Sequence, residues 1–107
     1  MNYTSQIFGD KIQIKLSGPL SGSDKTELSG CFKEVLECEK STVEFNFSGI
    51  PVMSSSHVGE FILPERKLRR QNRQLTFVGV GPQLNEIFEC IYLSKIITIQ
   101  KMSAASV

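Results

Sequence analysis

The sequence predicts an α/β domain in which a mixed sheet of four to five strands carries helices on one face only. Three observations predict it: two segments alternate apolar and polar residues with period 2, three stretches follow the 3.6-residue period of an amphipathic helix, and the two kinds interleave along the chain. In 107 residues these elements fill a single domain, since independent domains run about 100–150 residues. Its core spans about residues 3–100, and the tail, residues 101–107, is expected to fray.

A short strand near Tyr3–Phe8 leads through the tight Gly9-Asp10 turn into Lys11-Ile12-Gln13-Ile14-Lys15-Leu16. There Ile12, Ile14 and Leu16 share one face, while Lys11, Gln13 and Lys15 share the other. Asp24 followed by Glu27 fits a helix N-cap and its reciprocal partner. Leu28, Cys31, Phe32, Val35 and Leu36 then follow at i, i+3, i+4, i+7 and i+8, predicting a helix to about Cys38. Thr42-Val43-Glu44-Phe45-Asn46-Phe47 alternates again, with Val43, Phe45 and Phe47 inward.

A second helix is expected from Ser54–Ser56, with Val58, Phe61, Ile62 and Leu68 on one side. Pro64 should kink or break it, because proline in a helix interior costs about 3 kcal/mol. Gln74–Val80 reads as a strand. A third helix opens on Pro82, a favoured first-turn residue, and carries Leu84, Ile87, Phe88 and Ile91. Lys95–Gln100 is the last predicted strand. Strands that alternate argue for a sheet with one wet face, since a sheet covered on both sides shows continuous apolar strands.

Composition narrows the function. Net charge is +1, from 12 basic and 11 acidic residues, so nothing draws the whole molecule to nucleic acid or an anionic membrane. The start, Met1–Ser5, lacks a basic and then apolar leader, and no apolar run approaches the length of a membrane span; a cytoplasmic protein is expected. Three cysteines and one histidine, with no C-x-x-C, argue against a zinc site. On one helix, Cys31 and Cys38 stand about 10.5 Å apart along the axis, too far for a bridge. No cofactor or metal is expected.

Three segments carry a resemblance: Ser17-Gly18-Pro19-Leu20-Ser21, then Phe47-Ser48-Gly49-Ile50-Pro51-Val52-Met53-Ser54-Ser55-Ser56-His57-Val58-Gly59, and Phe77-Val78-Gly79-Val80-Gly81-Pro82. Their order and spacing over about Lys11–Gln100 resemble the STAS family, whose best-known members are the anti-sigma factor antagonists. The family pattern has Gly-x-Leu-Asp after one strand and Asp-Ser-Ser-Gly-hydrophobic-Gly at a helix start. Carried over, the resemblance puts the phosphoacceptor serine on Ser55, with Ser54 and Ser56 as substitutes. It implies a partner-binding surface of Ser21, Ser54, Ser55, Ser56, His57, Val58 and Gly59. Ser21, Ser54 and His57 depart from the pattern, which has aspartate at the first two positions and glycine at the third.

The loop has its own physics. A parallel crossover puts Ser54–Ser56 where a strand ends and a helix begins. Open sheets favour ligands at such ends, and free backbone N–H groups there favour an anion. A phosphate adds about −1.5 to −2 charge and would oppose docking. The plainer reading is that one of these serines caps the helix, which contributes about 1 kcal/mol.

No catalysis is expected. Ser54–His57 holds serines and the histidine within one helix turn, whereas catalytic triads draw on separated segments, and no Gly-x-Ser-x-Gly elbow is present. His57 is expected to be exposed. Arg66, Lys67, Arg69, Arg70 and Arg73 read as a solvated helix face, or as a patch that steers an acidic partner; no aromatics interleave as nucleic-acid stacking would require. Gly79-Val80-Gly81 is too short for a phosphate loop and should end its strand. The resulting expectation is a protein-interaction module of a partner-switching pathway. Its partner would be a kinase-like anti-sigma factor that serine phosphorylation releases. The alternative is an accessory subunit on the ATPase of an ABC-type lipid transporter, without a phosphoswitch. Neither nucleic acid nor membrane insertion enters either reading, and homodimer formation is left open.

Overall fold

In a computed structural model, described over residues 2–18, 25–50, 53 and 55–101, β1 (Asn2–Phe8), β2 (Lys11–Ser17), β3 (Thr42–Gly49), β4 (Gln74–Val80) and β5 (Thr98–Lys101) form one sheet. The side chains of Lys25, Ser55, Ser56, Ser94 and Lys101 are outside that description. The sheet order is β1-β2-β3-β4-β5. β1 pairs antiparallel with β2, and every later pair is parallel. Gly9 takes φ 59°, as the first residue of a two-residue type II′ hairpin turn must.

The topology explains the one-sided cover. Each parallel connection moves one strand along the sheet in the same direction, and right-handed crossovers of that kind deliver their helices to the same face. These helices are α1 (Lys25–Glu37), α2 (Ser55–Glu60), α3 (Ile62–Arg70) and α4 (Pro82–Cys90). Between the sheet and the helices lies the core. Ile12, Ile14, Leu16, Val43, Phe45 and Phe47 enter it from β2 and β3, each no more than 2% exposed. Phe61 sits at its middle, edge-on to Phe45 at 5.3 Å and to Phe77 at 5.3 Å. Such edge-to-face ring pairs add about 0.5–1.5 kcal/mol each beyond burial.

On the bare face, Glu44 of β3 accepts hydrogen bonds from Gln13 Nε2 at 2.6 Å and from Lys11 Nζ at 3.4 Å. These cross-strand polar pairs give that face its wet character.

The helices obey their sequence. In α1, Leu28, Cys31 and Val35 are buried, and Phe32 and Leu36 pack at the rim; the expected cap, Asp24, lies outside the described residues. Pro64 breaks the second predicted helix in two. Its ring would collide with the carbonyl of Glu60, four residues back, and α2 ends on that residue. α3 then starts at Ile62, which makes Pro64 its third residue, where an N–H has no helical partner to lose.

Two expectations need correction. Lys95–Gln100 is not one strand. A 3-10 turn, Leu93–Lys95, follows Tyr92 in the left-handed region at φ 57°, and Ile97 N still bonds to Leu93 O at 2.9 Å. These turn bonds hold Ile96 and Ile97 despite their strand preference, so β5 begins at Thr98. Ile91, assigned to the apolar face of the third helix, lies just past its end and is 40% exposed.

At the end where the parallel strands begin, side chains join distant segments. Asp10 Oδ1 accepts from Ser41 N at 3.3 Å, and its other oxygen accepts from the Ser41 hydroxyl. α1 has no basic residue in its last turn. Arg73 supplies the charge instead, donating to Val35 O at 2.9 Å, Leu36 O at 3.3 Å and Lys40 O at 2.5 Å. A cation there meets both the terminal carbonyls and the negative end of the helix dipole.

Candidate functional site

The opposite end of the sheet, where β2, β3 and β4 finish, is shaped by two glycines. At Gly49 a Cβ would stand 2.8 Å from Leu16 O, so only glycine lets β3 lie this close to β2. The pairing of the two strands slips between Lys15 and Ser17. On the other side Gly79 adopts φ 66°, and a Cβ there would meet Asn46 Oδ1 at 2.8 Å. That oxygen is already occupied, accepting from Ser48 N at 2.8 Å. Pairing of β3 with β4 stops at Asn46–Val78, and that of β4 with β5 slips between Phe77 and Val80.

The strand ends within Gly79-Val80-Gly81, as expected, and the helix follows at Pro82; Gly79 has a further role. It bends β4 within the strand and makes room for the Asn46–Ser48 turn. β3 thereby parts from β4 after Asn46 while it stays paired with β2 as far as Gly49, and it then turns, with Ile50 N bonding back to Phe47 O at 2.9 Å. Ile50 and Met53, 1% and 3% exposed, anchor the departing chain.

α2 starts at this corner, and Ser55 and Ser56 are its first two residues. Ser21 and Ser54 lie outside the described residues. Gly59 is exposed, with no atom within 4 Å of where a Cβ would stand.

His57 corrects the expectation of an exposed first-turn residue, whereas Val58 lies inward, as its place on the apolar side of the helix required. They are 7% and 0% exposed, because a helix of six residues seated on the sheet has one inward side, and His57, Val58 and the following Phe61 occupy it. Where the family pattern has glycine, an imidazole fills space beneath the helix. Little of either side chain faces a partner; among the members of the predicted set whose exposure is described, Gly59 is the accessible one.

The basic run divides into parts with different work. Arg69 donates Nη2 to both oxygens of Glu65, each at 2.6 Å, and so satisfies a carboxylate only 5% exposed. Arg73 serves the end of α1. Arg66, Lys67 and Arg70 remain exposed on α3. Beside them a groove of about 770 Å³ runs between α1 and α3, floored by Phe32, Leu36, Leu63 and Pro64 and flanked by Lys33 and Lys67. Sequence reasoning missed this groove. Its signal was Phe61-Ile62-Leu63, three consecutive apolar residues that a helix cannot all turn inward; Leu63 is 59% exposed.

Cys31 is inside the core, as its place in the apolar stripe required. Burial, with Glu34 nearby as the lesser cause, pushes its thiol up to about 12, so it stays protonated and unreactive near neutrality. Among the described residues no group of three or more His, Cys, Asp or Glu side chains is arranged to hold a metal ion, and no helix is long and apolar enough to cross a membrane.

The STAS domain model matches residues 3–105. Among solved structures, an anti-sigma factor antagonist from Mycobacterium paratuberculosis superposes with a TM-score of 0.83 at 12% identity, over 98% of this chain and 88% of that one. The anti-sigma factor antagonist SpoIIAA in its unphosphorylated form gives 0.78 at 16% identity, covering 98% and 91%. The Bacillus cell fate determinant SpoIIAA in its phosphorylated form gives 0.72 at 16% identity, covering 98% and 95%. At such identities the likeness shows the fold. No curated protein sequence matches the chain significantly.

Proposed function

The chain is a member of the STAS domain family, and we propose that it is a cytoplasmic protein-interaction module of a partner-switching pathway, acting by docking and not by catalysis. The observation that carries this reading is the corner where β3 ends. Gly79 lets β3 part from β4, Gly49 keeps it close against β2 to its end, and α2 opens on Ser55 a few residues later. A docking surface there comprises the start of α2, the neighbouring end of β2 at Gly18, and the exposed side of α3. The proposed partner is a kinase-like anti-sigma factor that phosphorylates Ser55, with Ser54 and Ser56 as substitute acceptors. About −1.5 to −2 charges added at this surface would have to be desolvated or faced by partner carboxylates on docking, so the modified protein is released. The relative SpoIIAA has been captured in both unphosphorylated and phosphorylated forms, which supports a switch of this kind.

Intact-mass measurement of the protein from its own cells tests the modification, and titration of the copurifying ATPase with Ser55→Asp and Ser55→Ala tests its consequence. Weakened binding by the aspartate variant alone is expected; equal binding by both, with no phosphate in any growth condition, overturns the switch. The lack of acidic residues at Ser21 and Ser54 favours a second reading, an accessory subunit docked on a lipid-transporter ATPase without a phosphoswitch. Copurification with transporter subunits, not with a sigma factor, would select it.

A further inference from the structure

The two edges of the sheet are built differently. β5 spans only four residues and includes Lys101, and short, charged edges resist pairing with other chains. β1 has none of those protections. It spans seven residues, Asn2-Tyr3-Thr4-Ser5-Gln6-Ile7-Phe8, without one charge, proline or glycine. It pairs with β2 in unbroken register from Asn2–Ser17 to Phe8–Lys11, so no bulge twists it away. Six of its seven residues are exposed, including Ile7 at 59% and Phe8 at 53%.

We propose that β1 is a self-pairing edge, joining a second copy of this chain through an antiparallel β1–β1 contact centred on Ser5. The register follows from the hairpin. A two-residue turn makes its flanking residues, Phe8 and Lys11, a hydrogen-bonded pair, and bonding alternates along an antiparallel ladder. Phe8, Gln6, Thr4 and Asn2 therefore spend their backbone groups on β2, whereas Tyr3, Ser5 and Ile7 point theirs outward. A two-fold axis at Ser5 sets the outward residues of one copy against those of the other: Ser5 meets Ser5, and Tyr3 meets Ile7 twice.

Every outward N–H and C=O of these three residues then finds a partner. The cross-strand neighbours also suit one another. Tyr3 opposite Ile7 is an aromatic and β-branched pair of the stabilising kind, and it covers the exposed isoleucine. On the other sheet face Thr4 meets Gln6, and Asn2 meets Phe8. With no charge on the strand, no like charges are opposed. The result is a continuous ten-stranded sheet with a β5 at each outer edge. This interface lies away from the α2 corner and goes beyond the partner-switching reading.

Sedimentation of the full chain over a concentration series tests it, with amide hydrogen exchange as a second readout. The wild type is expected to dimerise, and the amides of Tyr3, Ser5 and Ile7 to gain protection as concentration rises while those of Gln6 and Thr4 stay protected throughout. Ser5→Pro deletes an outward donor without touching the β1–β2 ladder, as edge positions allow; it should weaken dimerisation about tenfold, near the loss of two hydrogen bonds, with an unchanged fold. Ser5→Lys and Ser5→Glu chains should each pair poorly alone and pair with one another when mixed. A wild type monomeric at all concentrations overturns the proposal, including the case where β1 takes only a strand from another protein. So does a dimer indifferent to Ser5→Pro, or mixed lysine and glutamate chains that fail to join.

Discussion

Where β2, β3 and β4 begin, polar side chains tie the chain down; where the same strands end, glycines hold it open. At the first end Asp10 is bonded to Ser41, and the guanidinium of Arg73 reaches two carbonyls in the last turn of α1 and that of Lys40 just beyond it. At the other, Gly49 and Gly79 admit close backbone approach, and the ladders slip on either side. The difference teaches a division of labour: the side-chain bonds that join distant segments sit away from the proposed docking corner, and that corner is shaped by close backbone approach at two glycines.

The sharpest way to break this comparison is Arg73→Ala. It strips charged hydrogen bonds, worth about 1.5–3 kcal/mol apiece, from the carbonyls of Val35, Leu36 and Lys40. A net loss of about 3 kcal/mol is expected in chemical denaturation, with partner affinity unchanged; a large affinity loss would erase the division.

Next comes alkaline pH, which strikes the core shared by both ends. The Cys31 thiol is raised from 9.0 to about 12 in the fold, so the folded state holds its proton more tightly than the unfolded chain. That stability is complete below about pH 9 and is lost as pH climbs toward 12, by about 1.4 kcal/mol per unit. Cys31→Ala should flatten this slope relative to the wild type.

Gly79→Ala should cost less, about 2 kcal/mol, from a left-handed backbone and a Cβ pressed on the Asn46 side chain. Unlike the arginine variant, it should also disturb docking, because β3 loses its turn. Smallest of all, Ser55→Asp should leave the midpoint within about 0.5 kcal/mol of wild type, the range of substitutions that break no structural feature, while partner affinity falls. Should Ser55→Asp instead unfold the protein, the corner is structural after all.

Much of this was readable from period alone. The alternation of Lys11–Leu16 and Thr42–Phe47 gave the inward faces correctly, because one covered face leaves a period of two in the residues themselves. Pro64 announced its break through a clash that needs no tertiary knowledge. What stayed hidden depends on partners remote in sequence. Nothing near Arg73 says that it ends a helix more than thirty residues earlier, and nothing near Gly79 reveals Asn46. His57 looked exposed because the inward side of a helix of six residues is set by how it seats on the sheet. Ile96 and Ile97 have strand preferences that a turn begun at Tyr92 overrides.

The span between Arg73 and its acceptors also bears on how the protein is made. On the ribosome α1 is synthesised whole while the arginine that finishes it is still uncoded into chain, 33 residues behind Lys40 and 38 behind Val35. Any nascent fragment or truncation ending earlier leaves those carbonyls without the guanidinium, with only Cys38 bonded to Val35 O, so the charge that finishes the helix comes only as β4 is about to join the sheet.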